Sequence, residues 1–292
     1  MISTAPDPDS RPSSAPAAVS PILARDPLPL KGRTVLVTGV SRRVGIGHAI
    51  ACRAADYGAS LAIHHYAPHD AAQEWGADDV TEVLTSISSH LTEGARLTAV
   101  HADLAEPGEP DRVLCTAVED HGHLDALVCN QAMSAPDGAL GELSEEILDR
   151  HWRVDARASI LLAQAFAAQP AFAAEASPGG SIVFLTSGQA LGPMPGEVAY
   201  AAAKAALAGV TLTIADQLAE ARIRVNTVNP GPVDTGYVSR EIIEQTTGMF
   251  PFGRWGEPDD AARLITWLLT EEARWITGQV IHSEGGFARW RR

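Results

Sequence analysis

Seven short apolar runs, separated by amphipathic stretches of helix length, constrain this chain more than any other feature. They are residues 34–39 (TVLVTG), 60–65 (SLAIHH), 96–102 (RLTAVHA), 126–130 (ALVCN), 181–187 (SIVFLTS), 224–230 (RVNTVNP) and 279–283 (QVIHS). Short apolar runs suit strands covered on both faces, and strands joined through helix-length segments pair in parallel rather than as hairpins. Helices are expected to begin near Gly47, Ala77, Asp111, Ser144, Tyr200 and Asp259, each beside a cap, an acidic first turn or a Gly/Pro loop. The pattern predicts an α/β fold: one doubly wound, seven-stranded parallel sheet with helices on both faces. No repeat and no Pro/Ser-rich linker interrupts residues 31–292, so residues 29–292 are expected to form one domain. Residues 1–28 are dominated by Pro, Ser, Ala and Asp, too little apolar surface to offset the entropy of ordering, and are expected to be a disordered arm. Asp7, Asp9 and Asp26 argue against a transit peptide.

The 292 residues carry 22 Lys and Arg against 36 Asp and Glu, a net charge of −14 that repels phosphate backbones and anionic lipids. Nucleic acid and membrane surfaces are therefore not expected as partners. No uninterrupted apolar run approaches the ~20 residues that span a bilayer, and a cytoplasmic location is expected. The 3 cysteines, Cys52, Cys115 and Cys129, form no CxxC pair and read as reduced structural thiols.

The first apolar run leads directly into Thr38-Gly39-Val40-Ser41-Arg42-Arg43-Val44-Gly45-Ile46-Gly47 and then a helix. Glycines there let a pyrophosphate approach backbone N–H groups at a helix start. The competing reading is a tight strand-to-helix turn. At the end of the second run, where an acid would bond adenosine ribose hydroxyls, His64 and His65 stand instead. The missing acid, with Arg42 and Arg43 nearby, favours a 2′-phosphate and hence NADP(H) over NAD(H); two solvated arginines are the alternative. His64, His65 and His69 read as a partly exposed strand end rather than metal ligands, and no metal is expected.

Tyr200 and Lys204 stand at i and i+4 on an Ala-rich helix, so both project from one face. An ammonium beside a phenol lowers its pKa from about 10 and suits the pair to general acid/base work. Alone, such a spacing also occurs by chance on surface helices.

Taken together, Thr38-Gly39 with Gly45-Ile46-Gly47, Asp103-Leu104, Cys129-Asn130-Gln131-Ala132, Ser187, Tyr200-xxx-Lys204 and Asn229-Pro230-Gly231-Pro232-Val233-Asp234-Thr235 resemble the ordered motifs of the short-chain dehydrogenase/reductase family. The resemblance spans about residues 31–287 and implies a Rossmann-like sheet. It implies that Tyr200 gives a proton to a substrate carbonyl oxygen as hydride arrives from nicotinamide, that Ser187 positions that oxygen, and that Lys204 binds the nicotinamide ribose and tunes Tyr200. It further implies that Asp103, beside Leu104, bonds the adenine and Asn130 supports the central strand, with Gln131 and Ala132 at the floor of the cofactor site. Ser41 and His65 fall in the expected cofactor site, and Pro230, Gly231, Val233 and Thr235 would embrace the nicotinamide.

Three departures stand out. Five residues separate Gly39 from Gly45, more than in the common branch; the lengthening resembles enoyl-acyl-carrier reductases, but the tight Tyr200–Lys204 spacing argues for carbonyl reduction. Cys129-Asn130-Gln131-Ala132 stands where Asn-Asn-Ala-Gly is usual. Asp155, in HWRVDARAS, stands where the family's fourth catalytic residue is an Asn. A carboxylate near Lys204 would oppose the ammonium's effect and keep Tyr200 protonated to higher pH, biasing the enzyme towards reduction; a purely structural replacement is the alternative.

Gln189, Leu191, Met194 and Tyr237 are expected to border the substrate, although such apolar loop residues equally suit a lid or a subunit contact. Small apolar residues on the helices near 144–168 and 200–221 suit close helix packing, and the resemblance implies a homo-oligomer, dimer or tetramer. The expected function is NADPH-dependent reduction of a ketone or aldehyde on a small molecule; an oxidative alcohol dehydrogenase and a cofactor-binding sensor with little turnover are the alternatives.

Overall fold

In the computed structural model, which describes residues 26–173, 179–288 and 290, β1 (Thr34–Val37) is buried at every position and pairs with β2 (Ser60–His65) on one side and β4 (Ala126–Cys129) on the other, both in parallel. With β3 (Leu97–His101), β5 (Gly180–Leu185), β6 (Ile223–Asn229) and β7 (Val280–His282), the sheet runs in the order β3-β2-β1-β4-β5-β6-β7. All six pairings are parallel, as the continuous apolar runs require.

The crossovers are α1 (Ile46–Asp56), α2 (Ala67–Ala71), α3 (Val80–Ser88), α4 (Glu109–His121), α5 (Glu145–His151), a π-helical stretch (Trp152–Arg157), α6 (Ala158–Ala167), α7 (Val198–Gln217), α8 (Arg240–Thr246) and α9 (Pro258–Leu268). Side chains alternate across β1: Val35 and Val37 join Ile50 of α1 and Ile265 of α9 in one core, whereas Leu36 joins Val113 of α4, Leu162 of α6 and Leu207 of α7 in the other. Strand order reverses between β1 and β4, so a crevice opens at the carboxyl ends of these strands, where doubly wound sheets bind ligands.

Leu30 is fully buried, and its N–H reaches Tyr57 O at 2.9 Å, so the core begins there. Most of the arm expected at residues 1–28 lies outside the described residues. α7 is apolar enough to cross a membrane by length and composition, with mean hydropathy 1.6, but it packs against β6 and the π-helical stretch.

α2 and α8 were not anticipated from the sequence, and the helix expected from Ser144 is interrupted by the π-helical stretch. Two side chains serve its carbonyls. The Gln131 amide donates to Val154 O at 3.1 Å and to Ser159 Oγ at 2.9 Å, and the Ser159 hydroxyl donates to Asp155 O at 2.7 Å. Gln131 therefore ties the end of β4 to the widened turn that carries Asp155. Gln131→Leu leaves these buried groups short of a partner, and we expect a loss of about 1–3 kcal/mol, read as a lower denaturant midpoint at unchanged slope.

Candidate active site

The glycine loop leaves β1 under steric constraints that explain its composition. Gly39 has φ of 70°, and a Cβ there would lie 2.8 Å from Gln131 Cα. A Cβ on Gly47 would lie 2.6 Å from both Gly39 O and Asn130 Nδ2. Gly45 turns the loop by donating to Arg42 O at 3.0 Å, and α1 starts at Ile46 with no side-chain cap, leaving first-turn N–H groups for an anion. The Asn130 amide donates to Thr38 O and Gly39 O, both at 3.0 Å, fastening β4 to the loop.

His64 is a correction to the expectation of a partly exposed strand end. It is 2% exposed, its Nδ1 accepts the Gly39 N–H at 3.2 Å, and its Nε2 lies 3.0 Å from Ala102 O, which makes Nε2 the protonated nitrogen. Burial, aided by His65 and His101, lowers its pKa to about 4 against the opposing pull of the Ala102 carbonyl. Among the described residues no group of three His, Cys, Asp or Glu could hold a metal.

The crevice contains a cleft of about 140 Å³ lined by Gly39, Ser41, Asp103, Leu104, Asn130, Gln131 and Ala132 from the expected set. It is also lined by Tyr66, His69, Met133, Arg150 and Val154, which sequence reading did not anticipate. Arg150 has the only weak signal, one more charge on an exposed-looking helix turn. The Gln131 side chain has its groups engaged: its amide is spent on Val154 and Ser159, and its Oε1 lies 2.5 Å from the Thr38 hydroxyl, so it acts as a strut at the cleft floor.

The two loop arginines part company. Arg43 pairs with Asp78 at 3.4 Å and Glu82 at 2.9 Å, so its charge is taken up by neighbouring acids rather than held for a phosphate. The Arg42 guanidinium lies 5.9 Å from the Trp75 ring centre and next to Gly236. His65 sits at the end of β2 with its ring 5.3 Å from that of His101.

Across the sheet, Ser187 follows β5 and lies close enough to act on the Tyr200 phenol, one turn before Lys204 on α7. Lys204 is 2% exposed, its ammonium donates to Leu185 O at 3.2 Å, and it lies 5.5 Å from the Tyr200 ring centre. Asp155 is fully buried; Oδ1 accepts the Met133 N–H at 2.7 Å and lies 3.9 Å from Lys204 Nζ. Burial and then the Asp155 charge push the Tyr200 phenol well above its ordinary range, while Ser187 pulls the other way. Burial pushes Lys204 down, opposed by Asp155 and Cys129.

Beyond β6, Gly231 has φ of 69° and donates to Asn229 Oδ1 at 2.9 Å; a Cβ there would strike the Glu284 side chain. Pro230 and Thr235 are half-buried, and buried Val233 bridges to Gly256, fixing the loop. Of the expected substrate residues, Gln189 donates to Thr186 Oγ1 at 3.1 Å, Met194 is half-buried, and Leu191 and Tyr237 are exposed, with Tyr237 close enough to influence Tyr200.

Comparison with known proteins agrees with this geometry. Residues 39–288 match the family described as enoyl-(acyl carrier protein) reductase. An uncharacterized oxidoreductase of Bacillus subtilis, YjdA, is 40% identical over 88% of this chain and 97% of its own length. The promiscuous reductase LugOII, which catalyses keto-reduction at C1 during lugdunomycin biosynthesis, superposes with a TM-score of 0.74 at 36% identity, covering 88% of this chain and 98% of that one. The angucycline C-6 ketoreductase LanV with bound NADP gives 0.75 at 34% identity, covering 88% of this chain and 96% of that one. The chain belongs to the short-chain dehydrogenase/reductase family and is an NAD(P)-dependent oxidoreductase.

The state of His64 sets an acid limit. Its folded pKa lies below the unfolded value, so the unfolded chain takes up the proton first, and the stability His64 contributes is full above about pH 6.5 and lost as pH falls towards about 4. Chemical denaturation at pH 7 and pH 4.5 should differ by an amount on the order of 3 kcal/mol from this group, a difference that shrinks in His64→Gln.

Proposed function

We propose that this protein reduces a ketone or aldehyde group of a small molecule to an alcohol with NADPH, with Tyr200 as general acid. The observation that carries the reading is the buried Tyr200 phenol beside Ser187, with buried Lys204 beneath it: burial holds the phenol protonated. A protonated phenol gives a proton to a carbonyl oxygen; the reverse reaction needs phenolate, which this environment disfavours.

The chain's residues fit a nicotinamide dinucleotide. Gly39 and Gly47 leave a cradle that a Cβ would fill, and the α1 N-terminus offers N–H groups to a pyrophosphate. When bound, the cofactor supplies the hydride. Asp103 and Leu104 would hold its adenosine half, Lys204 the nicotinamide ribose, and Gly231, Val233 and Thr235 the nicotinamide side. The phosphate preference rests on Arg42 and on the absence of a carboxylate at His65-Tyr66, and the NADP bound by LanV supports it. Ser187 would orient the carbonyl oxygen, and Gln189, Leu191, Met194 and Tyr237 would border the rest of the substrate. Exposed Leu148, Trp152 and Leu212 on α5, the π-helical stretch and α7 favour a homo-oligomer. The net charge of −14 favours a cytoplasmic enzyme with no membrane or nucleic-acid partner.

NADPH consumption against a panel of ketones and aldehydes tests the reading. Tyr200→Phe is expected to lower kcat by about 10²–10⁴ with NADPH binding, followed by fluorescence, retained. NADPH binding without turnover on any carbonyl, unchanged by Tyr200→Phe, would sink it. Arg42→Ala is expected to raise KM for NADPH about tenfold while leaving that for NADH nearly unaltered, a loss of one charge-assisted contact.

A further inference from the structure

Asp155 places a carboxylate where a neutral amide is the family's usual choice, in a space with no access to water. A buried carboxylate needs its charge and both oxygens answered. Oδ1 is served by the Met133 N–H at 2.7 Å and by Lys204 Nζ at 3.9 Å. Oδ2 has no hydrogen-bond partner by ordinary geometry, but it faces Nδ1 of His151 at 3.5 Å, one helical turn earlier, and that nitrogen is likewise buried without one. The other ring nitrogen decides what lies between them. His151 Nε2 is 3.0 Å from Pro136 O, and a carbonyl only accepts, so Nε2 carries a hydrogen. A neutral His151 would then present a bare Nδ1 lone pair to the Asp155 lone pairs, two acceptors facing each other at zero exposure. One proton removes the conflict.

We infer that His151 and Asp155 share a proton between Nδ1 and Oδ2, carried on His151, and that this neutral pair does the work of the single neutral side chain usual at position 155. His151 is then a positioning residue: it touches neither cofactor nor substrate and acts through Asp155 on Lys204 and Tyr200. Its surroundings favour the cation. From the loop before α5, Asp137 Oδ2 lies 3.9 Å from Nε2. From α7, the Tyr200 ring centre is 6.2 Å away, and Lys204 lies beyond Asp155. From the segment after β2 comes His69, near enough to interact with His151 and with Arg150 of the same helix. Burial acts to discharge His151, but the facing Asp155 carboxylate, the Pro136 carbonyl and Asp137 outweigh it and raise its pKa. With the proton in place, the Asp155 charge is answered from both sides, by Lys204 and by His151. Without it, a lone carboxylate would act on Tyr200.

Asp137 extends the unit to the catalytic helix. Its Oδ2 accepts the Tyr200 N–H at 2.8 Å, and its Oδ1 accepts the Ala199 N–H at 3.0 Å. The carboxylate beside His151 therefore also caps the first turn of α7.

The shared proton is tested directly by ¹⁵N NMR of the imidazole nitrogens in the intact protein. His151 is expected to keep both nitrogens protonated at pH 8, above the ordinary histidine range of about 6.5, and to become a neutral Nε2–H tautomer in Asp155→Asn. A neutral His151 in the unaltered protein at pH 7 would overturn the proposal. The turnover part rests on the carbonyl-reductase reading and is tested separately. His151→Phe strands the carboxylate and is expected to lower kcat at least tenfold. His151→Phe combined with Asp155→Asn, which removes that charge, is expected to turn over at least fivefold faster than His151→Phe alone; no gain would also overturn the proposal. Because the NMR readout requires no substrate, its failure is distinguishable from failure of the reductase reading, which would appear as absent turnover in the unaltered protein.

Discussion

The hydrogen-bond knot where β1 and β4 part is the constraint on which the rest of the site depends. Thr38, Asn130 and Gln131 meet there: the Asn130 N–H reaches the Thr38 hydroxyl at 3.0 Å, its amide holds two carbonyls of the glycine loop, and Gln131 reaches across to the π-helical stretch. Each bond is buried or partly so, where an unmet partner costs the full desolvation penalty. The phosphate side of the crevice and the turn bearing Asp155 are thus registered to the same three residues. A shift of either would break bonds on both.

Charge around the crevice is mixed, in a molecule of net negative sign. The −14 total is carried largely on the surface, where Arg43, Arg53 and Arg254 are paired with neighbouring acids. Arg150 lines the cleft, and Lys204 lies buried beneath Tyr200. Asp70 and Asp103 line the same cleft, so positive charge there is local to Arg150 rather than a field over the whole site.

The seven strands were legible because parallel strands covered on both faces must be written as apolar runs, and β1, β4 and β5 are buried at every position. Ser187, Tyr200 and Lys204 were legible through spacing and order. What escaped was set by partners distant in sequence. The π-helical stretch depends on Gln131, more than 20 residues away, and local helix propensity says nothing of it. The role of His64 depends on the Gly39 N–H and the Ala102 carbonyl, neither adjacent in the chain. Arg43 looked like a phosphate ligand until Asp78 and Glu82 arrived from the next crossover. His151 carried no signal at all, since a histidine four residues before an aspartate gains meaning only once both are enclosed.

The residues proposed to react and those proposed to recognise the substrate sit on different kinds of scaffold. Tyr200, Lys204 and Asp155 project from helical backbone packed on the sheet, whereas Leu191 and Tyr237 stand exposed on connecting segments that lend little to either core. Gly231 sharpens the boundary, because it passes so close to Glu284 that the start of the second segment is held to the chain beyond β7. Past that pin, exposed positions such as Tyr237 and Phe252 can be exchanged with little stability cost, whereas Val233 and Phe250 are buried. On the proposed reading, a lineage carrying this arrangement can thus diversify the compounds it accepts while inheriting the proton chemistry intact.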